Sequence, residues 1–157
     1  MAEFTHIKDG RAQMVDISGK GEVVREATAS GRIYLRPETL AAIREGTVVK
    51  GNVLATARVA ATLAVKNTAN IIPMCHPIPL SSITVDFTDH EGYIETTVVV
   101  KMTGRTGVEM EALTGVSVAL LTVWDMVKSA EKDAHGQYPV TRITDVRVVE
   151  KKKGKSS

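Results

Sequence analysis

Ser82-Ile-Thr-Val-Asp-Phe-Thr-Asp-His-Glu-Gly-Tyr-Ile-Glu-Thr-Thr-Val-Val-Val-Lys-Met102 is the stretch whose reading decides the fold class. Ile83, Val85 and Phe87 alternate with polar neighbours, which predicts a strand with one buried face over residues 82–88. Tyr93 to Met102 is rich in β-branched residues and predicts a second strand. Asp89-His90-Glu91-Gly92 between them supplies turn residues, so the two strands form a hairpin.

Downstream, a long helix is expected from Gly107 to about Lys132 and a last strand over roughly Val140 to Val149. Thr106-Gly107-Val108-Glu109 has the spacing of a capping box, with the Thr hydroxyl and the Glu carboxylate serving orphan N–H groups. On a helical wheel the apolar residues cover well over half the circumference. That predicts burial on two sides, against the sheet and against a partner subunit. The polar arc holds Glu111, Thr114, Ser117, Asp125 and Lys128, and Glu109 lies about 160° from Glu111.

Upstream, three prolines between Ile71 and Leu80 exclude a regular element. Asn52 is placed to cap a helix from Val53 to about Asn67, and Pro37 to open a short one ending at Gly46. Val23 to Leu35 reads as a strand interrupted near Ser30-Gly31, and residues 1–20 read as irregular. The order strand, two helices, hairpin, helix, strand predicts an α+β fold of ferredoxin-like type, with helices packed on one face of an antiparallel sheet. At 157 residues the chain makes one domain over 1–157, with 1–12 and 151–157 expected to be flexible.

Composition narrows the function. With 43% apolar and 24% charged residues the chain is an ordinary globular mixture. The apolar run from Val116 to Trp124 is shorter than the roughly 18 residues of a membrane span, and the N-terminus lacks a signal-peptide pattern. A cytoplasmic location is expected. One cysteine, Cys75, excludes an internal disulfide and a multi-Cys zinc site. The net charge of +2 includes the four lysines of residues 151–157, which leaves −2 on residues 1–150 and argues against nucleic-acid binding. The lysine tail reads either as a solvated end or as a clamp for an anionic ligand.

Asp125 and Lys128, at i and i+3, share one helix face. They read as a surface ion pair or, among the apolar turns around them, as an acid/base pair in a partly dry cleft. His76, in the proline-rich loop with Cys75, reads as a packed loop residue or as a ligand for phosphate or base. Lys50-Gly51-Asn52 and Gly104-Arg105-Thr106-Gly107 each place a cation before a helix start, which hints at a phosphorylated ligand.

Met14-Val15-Asp16-Ile17-Ser18, Lys50-Gly51-Asn52-Val53, Ile72-Pro73-Met74-Cys75-His76-Pro77, the run Gly104 to Thr114, Asp125-Met126-Val127-Lys128 and Gly154-Lys155-Ser156 together resemble the MoaC family of cyclic pyranopterin monophosphate synthases. The resemblance runs from about Thr5 to the end. It implies a phosphorus–oxygen lyase of molybdenum cofactor biosynthesis. Its substrate is the GTP-derived 3',8-cyclo-7,8-dihydroguanosine 5'-triphosphate, and its products are cyclic pyranopterin monophosphate and pyrophosphate. It also implies a ferredoxin-like fold assembled as a hexamer, a trimer of dimers, with sites at the dimer interface.

By the same resemblance Asp125 and Lys128 are catalytic. Lys50, Met74, Cys75, His76, Glu109, Met110, Glu111 and Lys155 bind substrate, with Glu109 ranked below Glu111 because of its expected cap. Lys50, His76 and Lys155 are the cations assigned to the departing charge. No metal site and no resident cofactor are expected, and Mg²⁺ would arrive with the triphosphate. The chain departs from the family at Asn52, usually Asp, and at Val127, usually Cys. The rival reading is a non-catalytic ferredoxin-like nucleotide-binding module, which requires exposed aromatics on the central strands. Only Phe87 and Tyr93 are on offer.

Overall fold

The computed structural model describes residues 2–154. In chain order its elements are β1 (Ile7–Lys8), β2 (Arg11–Ala12), β3 (Val23–Tyr34), α1 (Pro37–Glu45), α2 (Val53–Lys66), α3 (Thr68–Ile71), β4 (Leu80–His90), β5 (Tyr93–Gly104), α4 (Glu109–Glu131) and β6 (Arg142–Lys153). The hairpin forms as its alternation requires, β4 pairing β5 antiparallel up to His90 and Tyr93. The four long strands make one antiparallel sheet in the order β4-β5-β3-β6, with the helical crossovers each skipping a strand. That is the ferredoxin-like arrangement expected.

Alternation puts Ile94, Val98, Val100 and Met102 of β5 and Ala27, Ala29 and Ile33 of β3 in the core, under the helices. α4 lies across this face. A second apolar flank is covered by α2 of the same chain, while Met110 and Leu121 stay exposed. Two glycines set the closeness of that packing. A Cβ on Gly31 would come within 2.9 Å of Leu120, and one on Gly115 within 2.7 Å of Val65. α4 has the length and apolar composition of a membrane-crossing helix, but Ala112, Val116, Ala119, Leu120, Val123 and Val127 are buried in the core of this domain.

Several expectations are corrected. β3 runs unbroken, and the irregularity near Ser30 is a shift in its pairing with β6, where Asp145 takes a positive φ of 56°. Lys151, Lys152 and Lys153, expected in a free tail, pair with Ala27, Glu26 and Arg25 as the last rungs of β6. Residues 7–12, expected to be irregular, form a small hairpin. Its turn, Asp9 (φ 52°) and Gly10 (φ 74°), has both residues in the left-handed region, as an Asp-Gly hairpin turn requires. The expected capping box is absent. α4 is preceded by Val108 with no side-chain cap, and Glu109 is engaged elsewhere. Asn52 does cap α2, its Oδ1 accepting from Ala55 N–H at 2.9 Å.

Candidate active site

Two clusters of the expected residues assemble at opposite ends of α4. At the C-terminal end Asp125 stands between two ammonium groups. Lys128, one turn on, reaches its Oδ1 at 2.9 Å. Lys50 comes from the turn before α2, where Gly51 adopts φ 108°, and reaches Oδ2 at 3.2 Å and the Asp125 carbonyl at 2.9 Å. The Lys128 contact, then Lys50, holds the Asp125 carboxyl below its ordinary range, and Asp125 in turn raises Lys128. Asp125 therefore stands ionised at neutral pH, with the protonated Lys128 beside it. The cluster is not the dry cleft expected, since the Asp125 side chain is 59% exposed in the single chain. Val127 next to it is buried in the core, so the missing thiol is a packing position here.

At the N-terminal end the Met74-Cys75-His76 loop meets the first turn of α4. Cys75 Sγ donates to Glu111 Oε1 at 3.7 Å. Burial and the neighbouring Glu111 push the Cys75 thiol up to about 11, so it stays protonated and is no nucleophile at neutral pH. Glu111 is 2% exposed, against the expectation of a solvent-facing arc, and burial pushes its carboxyl up. Its second oxygen, Oε2, is buried with no partner among the described residues. A buried acceptor left open is costly unless something else fills it. Above lies a cleft of about 380 Å³ that Met74, Cys75, His76, Glu109 and Met110 line with His6.

Glu109 faces the other way, as the wheel predicts, and pairs with Lys151 of β6. A Cβ at Gly107 would meet the Glu109 carboxylate, the movable end of a flexible side chain that would have to shift away from it. Beyond this pair a second hollow of about 270 Å³ is walled by Arg25, Glu26, Lys151, Lys152 and Lys153 and shares Gly107 and Glu109 with the first. A strip with four cations and two carboxylates therefore adjoins the first cleft. Lys155 lies outside the described residues.

Arg25 and His6 were missed by sequence reasoning, and Lys151 was marked only as part of the lysine tail. Nothing in the local pattern marks Arg25. The Asp9-Gly10 turn was the available signal for a hairpin that carries His6. Lys50, Asp125 and Lys128 are brought together; Glu111, Met74, Cys75, His76, Glu109 and Met110 are brought together. The two groups are not. Glu111 and Asp125 are 14 residues apart on one helix, about 21 Å along its axis.

The sequence profile of the MoaC family matches residues 14–154. The chain belongs to the MoaC family. Among its relatives, a protein of Methanoregula boonei is 80% identical over 98% of this chain and 99% of its own length. One of Methanosphaerula palustris is 70% identical over 98% of this chain and 100% of its own. One of Pyrococcus abyssi is 60% identical over 96% of this chain and 95% of its own. Each carries the name "Probable cyclic pyranopterin monophosphate synthase". The match to the MoaC family covers both clusters and every candidate residue named above except His6 and Lys155.

Proposed function

We propose that this chain is a cyclic pyranopterin monophosphate synthase acting in the cytoplasm. It converts 3',8-cyclo-7,8-dihydroguanosine 5'-triphosphate to cyclic pyranopterin monophosphate and pyrophosphate in molybdenum cofactor biosynthesis. The observation that carries this reading is the Asp125 carboxylate held between Lys50 and Lys128 in a chain of the MoaC family.

Rearranging the purine-derived ring requires protons to move on and off nitrogen and oxygen at neutral pH. An ionised Asp125 takes a proton, and Lys128 returns one. Lys50 and His76 offset charge on the departing pyrophosphate, and Lys155 is assigned the same task. Met74, Cys75, Met110 and Glu111 hold the substrate, with Glu109 a lesser contact. Mg²⁺ enters as part of the triphosphate, and no resident cofactor is invoked. Among the described residues no group of three His, Cys, Asp or Glu side chains is placed to hold a metal.

The separation of about 21 Å between Glu111 and Asp125 supports a site shared between subunits. Glu111 of one chain meets Asp125 of another across a two-fold interface, within a trimer of dimers. The nucleotide-binding alternative is disfavoured because Phe87 packs on the core. Tyr93 already carries His90 stacked at 4.6 Å and Arg32 at 4.7 Å from its ring centre. The decisive experiment incubates the purified chain with the cyclic triphosphate and measures pyrophosphate and pterin product. Binding without turnover would overturn the enzymatic reading.

A further inference from the structure

β1 and β2 contribute nothing to the core. Every residue from 2 to 12 is exposed, and a hairpin of two-residue strands has no stability of its own. What this hairpin does is bring one imidazole to the cleft beside Glu111. His6, just before β1, lines that cleft with His76, Cys75 and Glu109.

The ring is held in place. Gln13 N–H donates to the His6 carbonyl at 2.7 Å, and His6 Nδ1 lies 3.2 Å from the Gln13 carbonyl. A carbonyl oxygen only accepts, so Nδ1 carries a hydrogen there. In the Nδ1–H tautomer Nε2 is a lone pair, and among the described residues the ring makes no other hydrogen bond. The rest of the cleft says which end of the substrate belongs in it. Apart from His76, assigned above to the departing charge, thioethers at Met74 and Met110, a thiol that stays protonated and the Glu109 carboxyl are poor hosts for a triphosphate. They suit a flat heterocycle rich in N–H donors.

We propose that His6 is a further substrate-contacting residue, whose Nε2 accepts a ring N–H of the purine-derived heterocycle seated against Met74 and Met110. The β1–β2 hairpin is its carrier. This inference rests on the function proposed above and adds a residue to the ring-binding half of the site.

The experiment compares the unaltered chain with His6→Asn, His6→Gln and His6→Ala, using the cyclic triphosphate for kinetics and inorganic pyrophosphate for calorimetric binding. Asn keeps an amide N–H for the Gln13 carbonyl but has nothing where Nε2 was; Gln places an amide oxygen nearer that point. His6→Asn and His6→Ala should each raise KM about 10-fold, the cost of leaving one ligand N–H unpaired. kcat should change far less, His6→Gln should recover most of the loss, and pyrophosphate binding should be equal in all four proteins. Thermal midpoints should also agree, because the hairpin buries nothing.

A normal KM in His6→Ala would overturn the contact. A normal KM in His6→Asn alone would reduce His6 to an anchor of the hairpin and overturn it as well. Weakened pyrophosphate binding would move His6 to the phosphate end, against the inference. Absence of turnover in the unaltered chain is read before any variant; it overturns the proposed function itself, and this inference with it.

Discussion

Glu111 and Glu131 sit near opposite ends of α4, both with almost no exposed surface, yet their surroundings differ in kind. Glu131 is fully satisfied. Both its oxygens lie 3.2 Å from Arg36 N–H, the Thr141 hydroxyl donates at 2.8 Å, and the Thr39 hydroxyl donates as well. It thereby caps α1, whose own N-cap residue, Arg36, offers no side-chain bond. The carboxylate is also well placed at the positive end of that helix. Glu111 has one weak thiol donor and an oxygen with none. A buried carboxylate closed by its own protein ties elements together, whereas one left open beside a cleft is kept for something that enters. Burial alone does not separate the two; the donor inventory does.

The largest expected effect breaks the closed site. Glu131→Ala leaves the Arg36 N–H and two hydroxyls without their acceptor, and unfolding free energy should fall by about 3 kcal/mol. Chemical denaturation would check this, with an unchanged m-value showing that only stability moved. Protein that remains folded should keep its activity. A loss below roughly 1 kcal/mol would mean that water replaces the carboxylate and that Glu131 is not a tie.

Next comes the chemistry of the Asp125 end. Asp125→Asn preserves size while removing the proton-accepting carboxylate, and turnover should fall at least about 10² while substrate affinity changes little. Near-normal turnover would remove Asp125 from the mechanism. Paired with Glu111→Gln, the same variant tests whether the two ends of α4 meet across chains. If each variant is inactive alone, mixing them with subunit exchange makes about half the dimers hybrid, each with one intact site. About a quarter of full activity should return. A mixture that stays inactive despite confirmed exchange would mean that one chain spans the substrate by itself.

A smaller effect sharpens the Glu111 side. Its carboxyl is raised by burial, so between the ordinary glutamate range and that raised value the folded chain binds more protons than the unfolded one. Stability of the parent should therefore fall as pH rises through that window, and Glu111→Gln should remove the fall. Thermal midpoints of both proteins measured from pH 4 upward would show their difference growing in favour of the variant. A constant difference would mean that folding leaves the Glu111 carboxyl in its ordinary range. The smallest effect belongs to the cap of α2. Asn52→Asp should change stability by less than roughly 1 kcal/mol and leave activity alone. A large gain in turnover would show that the family's acid at this position has a chemical role.

Periodicity and turn chemistry act over neighbouring residues, so the sequence by itself determined the hairpin, α2 with its Asn52 cap, the reach of α4 to within two residues, and the opposed directions of Glu109 and Glu111. The motif text likewise marked Lys50, the Met74–His76 loop, Asp125 and Lys128. Only the tertiary structure decided what each group meets. The capping box lost Glu109 to Lys151, which the pairing of β6 with β3 brings alongside. The lysines of the tail became strand because β3 offered them a ladder. Glu131 became a cap for a helix that starts more than 90 residues earlier, and no local pattern can announce an acceptor supplied from that distance. Lys50 reaches Asp125 across 75 positions for the same reason. Backbone propensity is local, while the satisfaction of a buried charge depends on every element that folds against it.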